Sequence, residues 1–120
     1  MRTQPAKLWL CTAATDMRKS YDGLVALAKN HLGRDPLNGH GFIFVNRRCT
    51  QMKLLYFDGD GDGYCIWSKR LEQGQFGVRH ERQAESVELS RTEFEGLLEG
   101  LYLEIRNRRK RWQFPYPSAA

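Results

Sequence analysis

Gly41 to Phe76, GFIFVNRRCTQMKLLYFDGDGDGYCIWSKRLEQGQF, reads as three short apolar strands separated by two polar turns. Phe42, Phe44, Met52, Leu54, Tyr56, Tyr64, Ile66 and Trp67 supply the aromatic and branched residues that suit a pleated, half-buried surface. Asn46 to Gln51 and Asp58 to Gly63 supply the Asn, Asp and Gly of tight turns. The strands do not alternate cleanly, because Phe42 to Val45 and Leu54 to Phe57 are apolar on both sides. Both sheet faces therefore need at least partial cover. We expect the helices to cover one face and leave the other as a candidate contact surface.

Outward from this meander, Lys7 to Thr12 (KLWLCT) reads as a first strand. Thr15 or Asp16 can cap a helix near 16–32, where Met17, Tyr21, Leu24, Val25, Ala28 and Leu32 recur at helical spacing before Gly33. Arg34 to His40 is a Pro/Asn/Gly loop. Downstream, 77–86 is polar and aperiodic, and Val87 to Leu89 is a short strand. Ser90-Arg91-Thr92-Glu93 has the capping-box pattern, with Leu89 placed to staple against Phe94. Phe94, Leu97, Leu98, Leu101, Tyr102 and Ile105 then form one helical stripe, predicting a helix over 90–106 that buries these side chains against the sheet. The fold class is α+β: a small antiparallel sheet (a three-stranded meander plus one or two short strands) packed against two helices. We expect a single domain over 1–105 and a basic, aromatic and Pro-containing tail over 106–120.

A chain of 120 residues, 41% of them apolar, suits one domain with a modest core. No apolar run approaches the roughly 18 residues of a membrane helix, and the apolar part of MRTQPAKLWLCT is too short for a secretory signal. The default address is the cytoplasm. Cys11, Cys49 and Cys65 are then reduced thiols without metal-ligand spacing. Cys11 and Cys65 fall in strands and are expected buried and inert, while Cys49 sits beside Arg47 and Arg48, which could lower its pKa.

The charge is unevenly placed. Nineteen Lys and Arg against 14 Asp and Glu give +5, and RNRRKR (Arg106 to Arg111) alone carries five cations, so the rest of the chain sums to zero. A concentrated patch of this kind suits phosphate neutralisation with counterion release, although a basic helix end also complements the macrodipole. Candidate DNA contacts are Arg47, Arg48, Lys53, Lys69 and Arg70 beside the meander, and Arg106, Arg108, Arg109, Lys110 and Arg111 in the tail. Arg18 and Lys19 lie either on a solvated helix face or on the same surface. Tyr56, Phe57 and Trp67 either stack on bases or pack as cross-strand core.

Asp58-Gly-Asp60-Gly-Asp62-Gly63 matches the first positions of a calcium-binding loop, but the twelfth position falls on Lys69 and the flanks read as strands. A glycine-rich hairpin turn is the expected reading, with no metal and no cofactor. His31, His40 and His80 stand apart from each other and from any Cys at ligand spacing. No phosphate-cradling glycine loop, nucleophile elbow or HExxH occurs, so no enzyme activity is expected.

Six runs in order, DMRKSYDGLVAL (16–27), LGRDPLNG (32–39), FVNRR (44–48), KLLYFDGDG (53–61), KRLEQGQF (69–76) and LLEGL (97–101), carry a resemblance. Across residues 8–105 the chain resembles TnpB, the small accessory protein family of the IS-sixty-six insertion sequences, which is distinct from the RNA-guided nuclease of that name. The acidic turn here is about two residues longer than the family's usual DG or DGxG. The resemblance implies an accessory role in DNA transposition, with a co-encoded transposase and another accessory protein as partners. The expected function is non-catalytic DNA binding that assists the transposase. The alternatives are a protein adaptor that binds the transposase or another subunit without DNA contact, and a metal-dependent nuclease using Asp58, Asp60 or Asp62.

Overall fold

Every residue of Gly41–Val45 is buried, because this strand is the middle one of five in a sheet covered on both faces. The computed structural model describes residues 5–59, 61 and 63–99. Its elements are β1 (Leu8–Cys11), α1 (Tyr21–Asn30), a 3-10 turn (Pro36–Asn38), β2 (Gly41–Val45), β3 (Gln51–Asp58), β4 (Gly63–Arg70), β5 (Ser86–Leu89) and α2 (Arg91–Leu98). The strand order is β4-β3-β2-β1-β5. The expected meander forms as β2-β3-β4, antiparallel throughout. β1 pairs antiparallel with β5 but parallel with β2. A parallel pair needs a crossover, and the stretch containing α1 supplies it.

The doubly apolar strands feed two cores. Ile43, Val45, Met52, Leu54 and Tyr56 pack on one side with Phe94 and Leu97 of α2 and with Phe76 and Val78 of the following loop. Phe42, Phe44 and Leu55 pack on the other side with Trp9 and with Leu24 and Ala28 of α1. The two helices thus lie on opposite faces, which corrects the expectation that both cover one. Neither helix is long enough to shield a five-stranded face alone, and each face of β2 is fully apolar.

The first helix begins at Tyr21, later than the expected 16, where the chain is still tied to β2 and the Asp16 carboxylate is engaged locally. The Thr15 N–H donates to the Val45 carbonyl at 2.9 Å. The Asp16 carboxylate accepts from the Arg18 guanidinium and from the Arg18 N–H, and Arg18 holds its pKa down to about 2. Ser20 becomes the N-cap residue. At α2 the capping box closes as expected: Glu93 N–H donates to Ser90 Oγ at 3.0 Å, and Ser90 N–H to Glu93 Oε1 at 2.7 Å.

Of the expected stripe, Phe94 and Leu97 are buried and Leu98 is half-buried, whereas Leu101, Tyr102, Ile105 and the continuation to 106 lie outside the described residues. Leu97→Ala should therefore cost about 2–5 kcal/mol and Leu98→Ala clearly less. Equal shifts in denaturant midpoint for the two variants would refute this difference.

Candidate nucleic-acid interface

Strand register places the basic residues before any side chain is considered. Gln51 pairs with Arg70 and Met52 with Lys69, while Met52 also pairs with Val45, the last residue of β2. The β2–β3 turn carrying Arg47 and Arg48 and the end of β4 carrying Lys69 and Arg70 therefore share one end of the sheet. All four side chains are exposed.

The turn itself is tightly held. Asn46 Oδ1 accepts from the N–H groups of Thr50 and Gln51 at 2.9 and 3.0 Å, and the Asn46 N–H donates to the Gln51 carbonyl. Cys49 sits at φ 60°, a left-handed conformation that costs a non-glycine residue some strain. Three donors from the next loop hold it: Leu71 N–H to the Thr50 carbonyl at 2.8 Å, Phe76 N–H to the Cys49 carbonyl at 2.7 Å, and the Gln75 amide to the Arg48 carbonyl at 2.9 Å. Arg47 and Arg48 thus project from an ordered backbone.

Beside Arg47 opens a cleft of about 350 Å³, lined by Ala13, Ala14, Arg47, His80, Glu81 and Arg82. It lies past the carboxyl ends of β1 and β2. The loop on its far side is sewn to β1: the Thr12 carbonyl accepts from Glu81 N–H at 2.9 Å, and Thr12 Oγ1 bridges Gln83 and Glu85. His80 bridges the two strands, with Nε2 2.8 Å from the Asn46 carbonyl and Nδ1 3.4 Å from the Thr12 carbonyl. Exposed Arg79 and Arg82 come with this loop and extend the basic end.

Cys49 Sγ lies 3.5 Å from His80 Nε2, which corrects the view of His80 as isolated. The pair is not an activated nucleophile. The thiol donates to the Val78 carbonyl at 3.3 Å, and Nε2 lies closer to the Asn46 carbonyl, at 2.8 Å, than to the sulfur. Burial pushes the Cys49 thiol pKa up, against the expected lowering by Arg47 and Arg48, whose exposed charges are screened by water. Cys11 is buried as expected, with its pKa also raised by burial, but Cys65 is only half-buried.

Lys53, a candidate DNA contact in the sequence, is engaged within the fold. Its Nζ donates to the Met17 and Lys19 carbonyls at 2.9 and 2.7 Å, tying the approach to α1 onto β3. Arg70 Nε meets the Glu72 carboxylate at 3.3 Å, but both groups are largely exposed and the pair contributes little. Tyr56 is buried, and Phe57 is half-buried with its ring edge-on to Tyr64 at 5.2 Å, so these rings serve packing. Trp67 is 37% exposed. Arg106, Arg108, Arg109, Lys110 and Arg111 lie outside the described residues.

The acidic turn is at the opposite end. β3 is eight residues long, about 23 Å at ~3.3 Å per residue. The turn links two strands of a hairpin, with Gly61 N–H donating to the Asp58 carbonyl at 3.2 Å, where a calcium loop of the matched type requires helices. Asp60 and Asp62 are outside the described residues. Among the described residues no group of three His, Cys, Asp or Glu side chains is placed to hold a metal, and no helix is long and apolar enough to cross a membrane.

Two proteins of Sinorhizobium fredii (strain NBRC 101917 / NGR234) are similar to this chain, and both are described as uncharacterized. Protein y4hO is 29% identical over 110 residues, covering 92% of this chain and 91% of its own. Protein y4jC is 33% identical over 95 residues, 79% of each chain. No solved structure matches. Residues 6–109 match the family model described as IS66 Orf2 like protein, a span that takes in every described strand and helix and the first cations of the tail. The chain therefore belongs to the IS66 Orf2 like family, and its role is that of an accessory protein of insertion-sequence transposition.

Proposed function

We propose that this protein is a non-catalytic DNA-binding factor that assists a separately encoded transposase. The observation that carries the proposal is the gathering of Arg47, Arg48, Lys69 and Arg70 with Arg79 and Arg82 at one end of the sheet. Cations gathered at one end of a sheet raise the local positive potential, which suits a polyanion. The backbone of the Arg47–Arg48 turn is fixed in advance, so little backbone entropy is lost there on contact. Arg and Lys contacts to phosphate position a protein without reading bases, so the affinity is largely independent of sequence.

Replacing Arg47, Arg48, Lys69 and Arg70 together by Ala should flatten the dependence of log affinity on log salt by about 3 to 4 units on duplex DNA if each neutralises one phosphate. Lys53→Ala should lower stability and leave that slope in place. A quadruple variant with an unaltered slope would exclude this surface.

The adaptor reading draws on the same cations, because an acidic face of the transposase neutralises them equally well. It expects no duplex binding at any salt and a pull-down of transposase that the quadruple variant loses. The nuclease reading makes a separate claim. Incubation with supercoiled or single-stranded DNA plus magnesium or manganese should leave the DNA intact, and cleavage abolished by Asp60→Asn would turn the acidic turn into a catalytic site.

A further inference from the structure

The cleft beside Arg47 carries a charge that a phosphate backbone does not call for. Arg47 and Arg82 bring two guanidinium groups to its lining, and Glu81 brings a carboxylate to the same lining. A carboxylate repels phosphate, so Glu81 is out of place on a surface that only neutralises a backbone. It does not serve the neighbouring cations either. Among the described residues the exposed side chains of Arg47, Glu81 and Arg82 form no hydrogen bond or ion pair with one another or with any other group. The walls around them are nevertheless fixed. Ala13 and Ala14 lie between Thr12, whose N–H donates to the Glu85 carbonyl at 2.9 Å, and Thr15, whose N–H donates to the Val45 carbonyl at 2.9 Å. The opposite wall is held by Glu81 N–H on the Thr12 carbonyl and by His80 Nε2 at 2.8 Å from the Asn46 carbonyl. The two alanines contribute only methyl groups, and the cleft of about 350 Å³ falls within the range of about 300–1,000 Å³ usual for preformed ligand pockets.

We propose that this cleft receives an unpaired nucleotide at the end of a DNA strand, with Arg47 and Arg82 on its phosphate and Glu81 on the amino group of its base. The proposal deepens the DNA-binding reading and rests on it. A nucleotide carries both complements of the lining: an anionic phosphate for the guanidinium groups and an N–H donor for the carboxylate. A paired base has its Watson–Crick edge spent on its partner, whereas an unpaired one can be splayed out and hydrogen-bonded on that edge. A duplex presents its phosphates on a convex surface, which lies across the mouth of a cleft without filling it. Because an ionised carboxylate only accepts, Glu81 also selects among bases. Cytosine offers its N4 amino group, while thymine presents the O4 acceptor at the same place.

The test is a fluorescence-anisotropy titration of the full-length protein with three probes at one salt concentration: a blunt duplex, the same duplex with a short oligo-deoxycytidine overhang, and the same duplex with an oligo-thymidine overhang. The cytidine overhang should bind about tenfold tighter than either of the others, the scale of one good contact between a side chain and a base edge. Ala14→Leu fills the cleft without changing charge and should bring the ratio of tailed to blunt affinity to one. Glu81→Gln changes an exposed side chain, so it keeps the test alive if Ala14→Leu does not fold. Its amide can donate to thymine O4 as well as accept from cytosine N4, and it should erase the preference for cytidine over thymidine. Reading each variant as a ratio cancels any general loss of DNA affinity. Equal affinity of the parent for all three probes overturns the proposal and leaves the DNA-binding reading standing, as does a cytidine preference that survives both variants. No binding to any probe overturns both.

Discussion

Deleting residues 106–120 is expected to flatten the slope of log affinity against log salt by about 4 to 5 units on duplex DNA, because five cations each release roughly 0.9 counterion per phosphate neutralised. The arithmetic rests on RNRRKR, which holds the chain's entire net charge of +5. The truncated protein is neutral overall but keeps its basic sheet end, so weak binding should persist. It should weaken further when Arg47, Arg48, Lys69 and Arg70 are also replaced. Preference among duplex sequences should change little, since phosphate contacts carry no base information. If truncation left the slope unchanged, the tail would have no part in phosphate contact and its charge would need another partner.

The second large effect is expected at Phe76. This ring is fully buried among Ile43, Val45, Met52 and their neighbours, and the Phe76 N–H donates to the Cys49 carbonyl at 2.7 Å. Phe76→Ala should cost about 3–5 kcal/mol, a large share of the roughly 5–15 kcal/mol that holds a domain of this kind. The loss should reach the candidate interface as well as the core, because Phe76 anchors the loop that bears Arg79, His80 and Arg82 beside Arg47. At temperatures where the variant remains folded, its DNA affinity should therefore fall more than that of Leu97→Ala, which empties the same core from α2. Equal affinities for the two variants at equal folded fraction would show that this loop does not contribute to binding.

The parts of the fold legible in the sequence were those written in local chemistry. Turn residues and β-branched or aromatic runs mark β2, β3 and β4, and Ser90 with Glu93 marks the start of α2. What depended on distant pairing was not legible. Asp16 and Thr15 are good helix caps in isolation, but the Asp16 carboxylate is taken by Arg18 and the Thr15 backbone is held to Val45, and α1 starts at Tyr21. Nothing in KLWLCT distinguishes a strand parallel to its neighbour from an antiparallel one. That outcome follows from the crossover through α1.

At the candidate interface, Arg47, Arg48, Lys69 and Arg70 were identifiable as basic pairs beside turns, and strand register brought them together. Lys53 reads like them in sequence and differs only because the Met17 and Lys19 carbonyls lie within its reach. Arg79, His80 and Arg82 gave no linear signal, since a polar, aperiodic loop reveals its neighbours only after Thr12 and Asn46 bind it.

The most direct test of the central claim is a binding titration of the full-length protein against element-end and random duplexes at two salt concentrations. The account predicts that both duplexes are bound at low salt with similar affinity, and that affinity falls steeply at the higher concentration. No duplex binding even at low salt would contradict it and leave the adaptor as the better reading of the same charged surface.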